Sequence, residues 1–372
     1  MAKNEVAILD FGSSKITILV GAKTVNNNFK IIAHGSCEYA GFMNGEFIEP
    51  ENLSSAISYA KNQAENIYGK KIKRLYVGVP TEFCCNTLER ISLNLDKRVR
   101  IKQKNIDKLF DSANISYDNF EIINKTPIYY LLDDNNRILN PIGCLTSSLS
   151  VLASYISVTH DFYKFLDSIF CEVGVYTIEL ISSALAESLY LIEPELRQNG
   201  ALLVDCGFIT TSVNAVMFEG ITDLKSFSLG GGYITSDLME VLKIPFESAE
   251  QLKRKLILSV SPTADDYYEV LVNNQIERFP VKIVNEICLA RIDMIAESIN
   301  KCLDYFKNKV SFDMQVYITG GGLNFIKGVV PHLESVLNRK VVLIAPSPLQ
   351  FNKPDLSSSL SLIDAALNIE QK

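Results

Sequence analysis

The feature that most constrains this chain is a pattern that occurs twice. The segment Glu5-Val-Ala-Ile-Leu-Asp-Phe-Gly-Ser-Ser-Lys-Ile-Thr-Ile-Leu-Val-Gly21 is two apolar runs joined by a polar turn that contains Gly12. The same order returns roughly 195 residues later in Ala201-Leu-Leu-Val-Asp-Cys-Gly-Phe-Ile-Thr-Thr-Ser-Val-Asn-Ala-Val216. Short apolar runs bounded by turn residues read as β-hairpins, and their recurrence reads as an internally duplicated architecture. With 372 residues the chain is long enough for two or more cores, because single cores stop growing at about 250–300 residues.

Between the hairpins the periodicity changes several times. Phe29–Cys37 reads as a third strand, Pro50–Tyr68 carries apolar residues at helical spacing, and Leu75–Val79 resumes as a buried strand. Residues 83–161 look like a small α+β insertion. Strand-like runs at Ile91–Leu95, Phe120–Lys125, Tyr129–Leu132 and Ser150–Val158 surround one helix near Lys104–Ala113. Turn-rich stretches at Asp133–Asn136 and Asn140–Gly143 interrupt them. A helix at Phe162–Val173 follows, and a long one spans Val281–Phe306. In the latter, Ile287, Ile295, Ile299 and Leu303 mark a core-facing side.

Composition excludes several classes. A formal charge of −7 gives no indication of a nucleic-acid-binding face, and Lys70–Lys71 and Lys97–Arg98 read as solvated surface. The start of the chain shows no signal-peptide apolar region, and no apolar run approaches the ~18 residues a membrane helix needs. The eight cysteines (Cys37, Cys84, Cys85, Cys144, Cys171, Cys206, Cys288, Cys302) form no CxxC pair or histidine-spaced metal set. They read as reduced thiols of a cytoplasmic protein.

The chemistry lies in the turns. Gly12 lets backbone approach an anion, the N–H groups and hydroxyls of Ser13 and Ser14 can cradle phosphate oxygens, and Lys15 adds positive charge. Asp10 and Asp205 can hold Mg²⁺ through its own waters. Asp205, Gly207, Thr210 and Thr211 form the second, matching set. Either turn alone is also what an ordinary Asp-Gly hairpin uses. Neither is a Walker loop, nor a dinucleotide fingerprint opening a helix. Two glycine-rich segments shift the balance. Val316-Tyr-Ile-Thr-Gly-Gly-Gly-Leu323 is a strand ending in Gly320, Gly321 and Gly322, where a nucleoside can lie against bare backbone; a helix is expected at Ile326–Leu337. Leu229-Gly-Gly-Gly-Tyr-Ile-Thr-Ser-Asp-Leu238, with Gly230 and Gly231, opens a helix whose N–H groups can face phosphates.

Taken in this order, these motifs resemble the actin-like ATPase superfamily, and most nearly its FtsA-like cell-division proteins. The similarity runs from residue 6 to about residue 367 and includes Gly41-Phe-Met-Asn-Gly-Glu-Phe-Ile48, Asn140-Pro-Ile-Gly143 and Ser248-Ala-Glu-Gln-Leu-Lys253. It implies an α/β, actin-like (ribonuclease H-like) fold of two lobes with ATP and Mg²⁺ in the cleft between them. Subdomain 1A would be residues 1–82 and 162–197, with a 1C subdomain of SHS2 type at 83–161. Subdomain 2A would be 198–240 and 310–372, and 2B would be 241–309. It further implies that Glu250 and Lys253 contact the ribose or adenine; an exposed i,i+3 ion pair is the other reading. The partners implied are an FtsZ-like division polymer on 2B, further copies of the chain in a filament, and other division proteins on 1C.

The chain also departs from that family. Phe208 stands where a small residue is common in the second loop, so hydrolysis is expected to be slow or absent while binding survives. Glu187 is a candidate for orienting water, although its helix also reads as surface. No basic amphipathic tail follows Ser357–Leu367, so the membrane is expected to be reached through a partner, or through a tail missing from this sequence. Two other readings share the superfamily. One is a PilM-like pilus-assembly protein that binds a membrane partner's peptide. The other is a sugar kinase, for which no catalytic Asp with a sugar pocket is found.

Overall fold

The computed structural model describes residues 4–24, 28–113, 115–133, 136–306, 314–347 and 353–371. Asp134 and Asn135, in the turn expected at Asp133–Asn136, lie outside the described residues. The first hairpin is β1 (Glu5–Phe11) and β2 (Lys15–Lys23), followed by β3 (Phe29–Glu38), a short hairpin β4 (Phe42–Met43) and β5 (Glu46–Phe47), and helix α1 (Leu53–Tyr68). Helix α1 buries Leu53, Ala56, Ile57, Ala60 and Ala64, and it ends where Gly69 adopts φ +73° and donates back to Glu65 O. Strand β6 (Arg74–Val79) then pairs parallel with β1.

The insertion runs through β7 (Cys85–Arg100), α2 (Gln103–Ala113), β8 (Phe120–Leu131), β9 (Arg137–Ile138) and β10 (Leu145–Thr159). It forms its own sheet in the order β7-β10-β8-β9, with α2 closing one face over Ile91, Leu93, Val151 and Tyr155. The two strands expected around Pro127 are one strand: the register shifts between Leu152 and Ala153, and a bulge absorbs the proline. After the insertion come α3 (His160–Glu172), β11 (Thr177–Ser182), α4 (Ser183–Leu191) and α5 (Pro194–Arg197).

The second half contains the second hairpin, β12 (Ala201–Cys206) and β13 (Thr211–Met217), and continues through β14 (Gly220–Phe227), α6 (Gly231–Leu242), α7 (Phe246–Arg254), the hairpin β15 (Tyr267–Val272) and β16 (Gln275–Pro280), α8 (Val281–Tyr305), β17 (Val316–Thr319), α9 (Val329–Leu337), β18 (Val341–Leu343) and α10 (Ser357–Ile369). Helix α9 starts three residues later than the sequence pattern suggests, because Gly328 at φ +83° turns the chain first.

The duplication is visible in strand order. The first sheet runs β11-β6-β1-β2-β3 and the second β18-β17-β12-β13-β14. Each hairpin's first strand therefore pairs antiparallel with its second and parallel with a later strand, and both turns emerge at the same sheet edge. The second sheet packs one face on an apolar core of its own, whereas Leu203, Val216, Ile221 and Tyr317 from its other face join the core of the first sheet. One element crosses between the halves. The resemblance puts residues 310–372 in the second lobe, yet α10 packs Leu360, Leu362, Ile363 and Ala366 against Val6, Ile8, Leu19 and Tyr76 of the first sheet. Among the described residues no helix is long and apolar enough to cross a membrane.

Candidate functional site in the inter-lobe cleft

The two turns close in the same way. Gly12 N donates to Lys15 O at 2.9 Å, and Gly207 N donates to Thr210 O at 2.9 Å. They face each other across a cavity of about 280 Å³ lined by Asp10, Gly12, Ser13, Ser14, Lys15, Glu187, Asp205, Gly207, Thr210, Glu250, Lys253 and Gly320–Gly322. The Ser13 hydroxyl already spans the gap, accepting from Phe208 N at 3.2 Å and Ile209 N at 3.0 Å. Two neighbouring backbone N–H groups converging on one oxygen make the kind of nest that binds a phosphate oxygen. The Phe208 side chain also lines this cavity. Its ring packs over the start of α6, where a Cβ on Gly232 would come within 2.8 Å of it, and meets Phe246 edge-on at 6.0 Å.

The glycines behind the second turn are required by close approach. Gly320 has φ +85°, and a Cβ there would stand 2.2 Å from Asp205 Oδ1. Gly230 and Gly231 are not among the cavity-lining residues. The N–H groups at the α6 N-terminus have another use: Gly231 N donates to Gly207 O at 2.9 Å and Gly232 N to Phe208 O at 2.7 Å. Helix α6 thus buttresses the second turn from behind. Thr211 is likewise buried, donating to Leu229 O at 2.8 Å.

Three carboxylates gather at the cleft floor. Ser358 and Ser359, at the start of α10, donate to the two oxygens of Asp10 at 2.7 and 2.5 Å. Burial nevertheless raises the Asp10 pKa. Burial and the nearby Asp10 charge push Asp205 up to about 7. Glu187 rises well above the ordinary range, first from burial and then from Asp205 and Asp10. The surface reading of Glu187 is corrected here: its side chain is 2% exposed and its Oε1 has no hydrogen-bond partner. Helix α4 is apolar on nearly every side, and Glu187 turns toward the cleft cavity that it helps to line. Among the described residues no three His, Cys, Asp or Glu side chains converge tightly enough to hold a metal alone. A divalent cation here would rest largely on water and ligand oxygens, as Mg²⁺ does.

Glu250 and Lys253 form an ion pair at 2.6 Å, with Lys253 buried and Glu250 half-buried rather than solvated. Lys253 Nζ also donates to Gly231 O at 3.1 Å and Thr235 Oγ1 at 3.0 Å, tying α7 to α6. Burial alone would raise Glu250; Lys253, Thr235 and Arg254 outweigh it and hold the carboxylate low. Beside them the Arg254 guanidinium lies over the Phe325 ring at 5.6 Å. Sequence reasoning missed Arg254, Phe325, Asp355, Ser358 and Ser359. The one available signal was the run of three serines opening α10, an unusual choice for a helix interior.

The sequence profile of the family described as "Cell division protein FtsA" matches residues 202–361, which carry the second turn, both glycine segments and the first turn of α10. The cell division protein FtsA of Streptococcus pneumoniae is 25% identical over 370 residues, covering 96% of this chain and 79% of that one. The FtsA of Staphylococcus epidermidis is 23% identical over 386 residues, covering 100% and 81%. The chain is similar to these FtsA proteins over nearly its whole length. Solved structures agree on its fold. A PilM–PilN type IV pilus biogenesis complex matches 98% of it and 99% of the solved chain, with a TM-score of 0.64 at 14% identity. MreB5 of Spiroplasma citri bound to AMPPNP matches 100% and 99%, with a TM-score of 0.55 at 12% identity.

Proposed function

We propose that this FtsA-like chain binds Mg-ATP between its paired turns and acts as a cell-division scaffold rather than an efficient enzyme. The observation that carries this reading is the pair of equivalent turns facing across one cleft, with the buried carboxylates Asp10, Asp205 and Glu187 between them. Such a cluster calls for a cation, and the N–H groups around it call for an anion; a metal–phosphate ligand supplies both. Ser13, Ser14, Gly12 and Lys15 hold phosphates from the first lobe, and Gly207, Thr210 and the Phe208–Ile209 amides from the second. The nucleoside lies along Gly320–Gly322 toward Glu250, Arg254 and Phe325. Asp10 and Asp205 bind Mg²⁺ through water, and Glu187 faces the attacking-water position. The MreB5 relative in fold, which is bound to AMPPNP, supports a nucleotide in this cleft.

The FtsA relatives support a division role. Subdomains are assigned as 1A (1–82, 162–197, with α10), 1C (83–161), 2A (198–240, 310–356) and 2B (241–309). An FtsZ-like polymer docks on 2B around α8, other division proteins dock on 1C, and copies of the chain associate into filaments at the inner face of the cell membrane. The test is calorimetric titration with Mg-ATP beside Asp205→Ala and Lys15→Ala. Wild-type binding lost in both variants is expected; no wild-type affinity refutes the nucleotide reading. The PilM–PilN match motivates a second reading, capture of a membrane partner's peptide. A pulldown that recovers a pilus protein and no FtsZ-like protein decides for it.

A further inference from the structure

The far end of the inserted sheet carries a surface that the nucleotide reading leaves unused. Lys97-Arg-Val-Arg-Ile-Lys-Gln-Lys104 places five cations in eight residues with no acid among them, in a chain whose net charge is −7. The structure displays this run in a specific way. Pairing of β7 with β10 jumps from Asn94↔Ser148 to Val99↔Thr146, so Leu95–Arg98 bulge out opposite the single residue Ser147. The bulge is held in place: Ser147 donates to Asp133 through both N and Oγ at 3.1 Å, and Arg98 faces Asp133 at 3.6 Å. Lys97, Arg98, Arg100, Lys102, Lys104 and Arg137 are all exposed at this end, and among the described residues the acids beside them are Asp96, Asp107 and Asp133.

Apolar side chains stand among these cations. Leu139 is 43% exposed, Ile142 48% and Leu145 53%. The loop that carries them is tied to the basic run by Gly143 N to Ile101 O at 2.9 Å, Ile101 N to Cys144 O at 2.9 Å and Arg100 Nη1 to Gly143 O at 2.8 Å. Strand β10 starts here and ends in the core of the first lobe 15 residues later, about 50 Å away for an extended strand. Exposed aliphatic residues ringed by cations at the end of a long projecting sheet match the chemistry of an anionic bilayer surface, where apolar insertion and attraction to acidic headgroups add together.

We propose that this tip, residues 97–104 with 137–145, binds directly to anionic lipid membranes. The contact is independent of the cleft and its test needs no nucleotide. The full chain is sedimented with vesicles of phosphatidylcholine with and without phosphatidylglycerol, at low and high salt. Binding is expected only with phosphatidylglycerol, weakened by salt. Each cation removed should lower partitioning about 5-fold, so the triple variant Lys97→Glu, Lys102→Glu, Lys104→Glu should lose it by about 100-fold or more. The pair Leu139→Ser, Ile142→Ser should weaken it while retaining the salt dependence. Thermal melts of both variants, expected to match wild type, establish that they fold. Three results overturn the proposal: no binding to phosphatidylglycerol vesicles at low salt, binding unchanged by the triple variant, or equal binding to polyglutamate that ignores Leu139→Ser, Ile142→Ser. The last would make the tip a site for an acidic protein segment.

Discussion

Asp205 and Glu187 show at the level of single residues how burial sets chemistry. Both carboxyls have folded-state pKa values above their unfolded ones, Asp205 at about 7 against an ordinary 3.8. The folded state therefore holds protons that the unfolded chain has released across roughly pH 4 to 7, and stability falls as pH rises through that window. For Asp205 alone the loss is on the order of 4 kcal/mol. Asp205→Asn should flatten this slope in melting temperature against pH. A melting curve equally steep in the variant would place the titration elsewhere. Gly320→Ala tests the backbone beside it. A Cβ 2.2 Å from Asp205 Oδ1 at φ +85° should cost about 2–4 kcal/mol in denaturant unfolding. The Asp-x-Gly turns and the glycine run were legible in the sequence because turn geometry restricts residue choice locally. The role of Glu187 was not. An acid on a nine-residue helix looks exposed until one sees that α4 is walled by α10 and the second sheet. The apolar remainder of Ser183–Leu191 was the sign that this helix has no wet face.

Among the elements, α6 and α10 act as supports for the turns. Helix α10 follows the second lobe in the chain, bonds Ser357 Oγ to Thr319 Oγ1 at 2.6 Å, and then buries its length on the first sheet. Its first turn supplies both hydroxyls to Asp10. Ser358→Ala with Ser359→Ala leaves that buried carboxylate without these donors. The double variant should lose about 2–4 kcal/mol at pH 8, and progressively less as falling pH protonates the raised Asp10 carboxyl. Equal losses at every pH would show that the serines act by packing alone. The placement of α10 could not be read from periodicity, which reports an apolar face without naming the surface that covers it. The inserted sheet is recognisable as a unit from sequence, but the strand break expected at Pro127 does not occur. A bulge is a pairing property and leaves no mark on a single strand.

For the molecule as a whole, the cleft is spanned by several contacts. Besides Ser13 with Phe208 and Ile209, the Ser228 hydroxyl donates to Glu82 Oε1 at 3.1 Å and accepts from Asn44 N at 3.1 Å. The Arg197 guanidinium ties the carbonyls of Leu189, Ile192 and Phe218 together. Ser13→Ala removes the acceptor shared by two amides. Hydrogen exchange at Phe208 and Ile209 should quicken by about 5-fold or more, with exchange in the sheet cores unchanged. Mg-ATP, binding only the folded form, should raise the melting temperature and slow exchange at the same two amides. A stabilisation that leaves those amides unchanged would place the ligand outside the paired turns.

By itself the sequence determined the two hairpins, the glycine approaches, the inserted α+β unit and the resemblance that placed them in one superfamily. These depend on local constraints: turn dihedrals that favour glycine, and apolar spacing that fixes which face is buried. Only the tertiary structure decided which side chains share the cleft. It brought Glu187 inward, packed the Phe208 ring over the start of α6, spent the α6 amides on the second turn, and carried α10 back to Asp10. Those outcomes depend on contacts between residues up to 349 positions apart, and no local pattern encodes such a meeting.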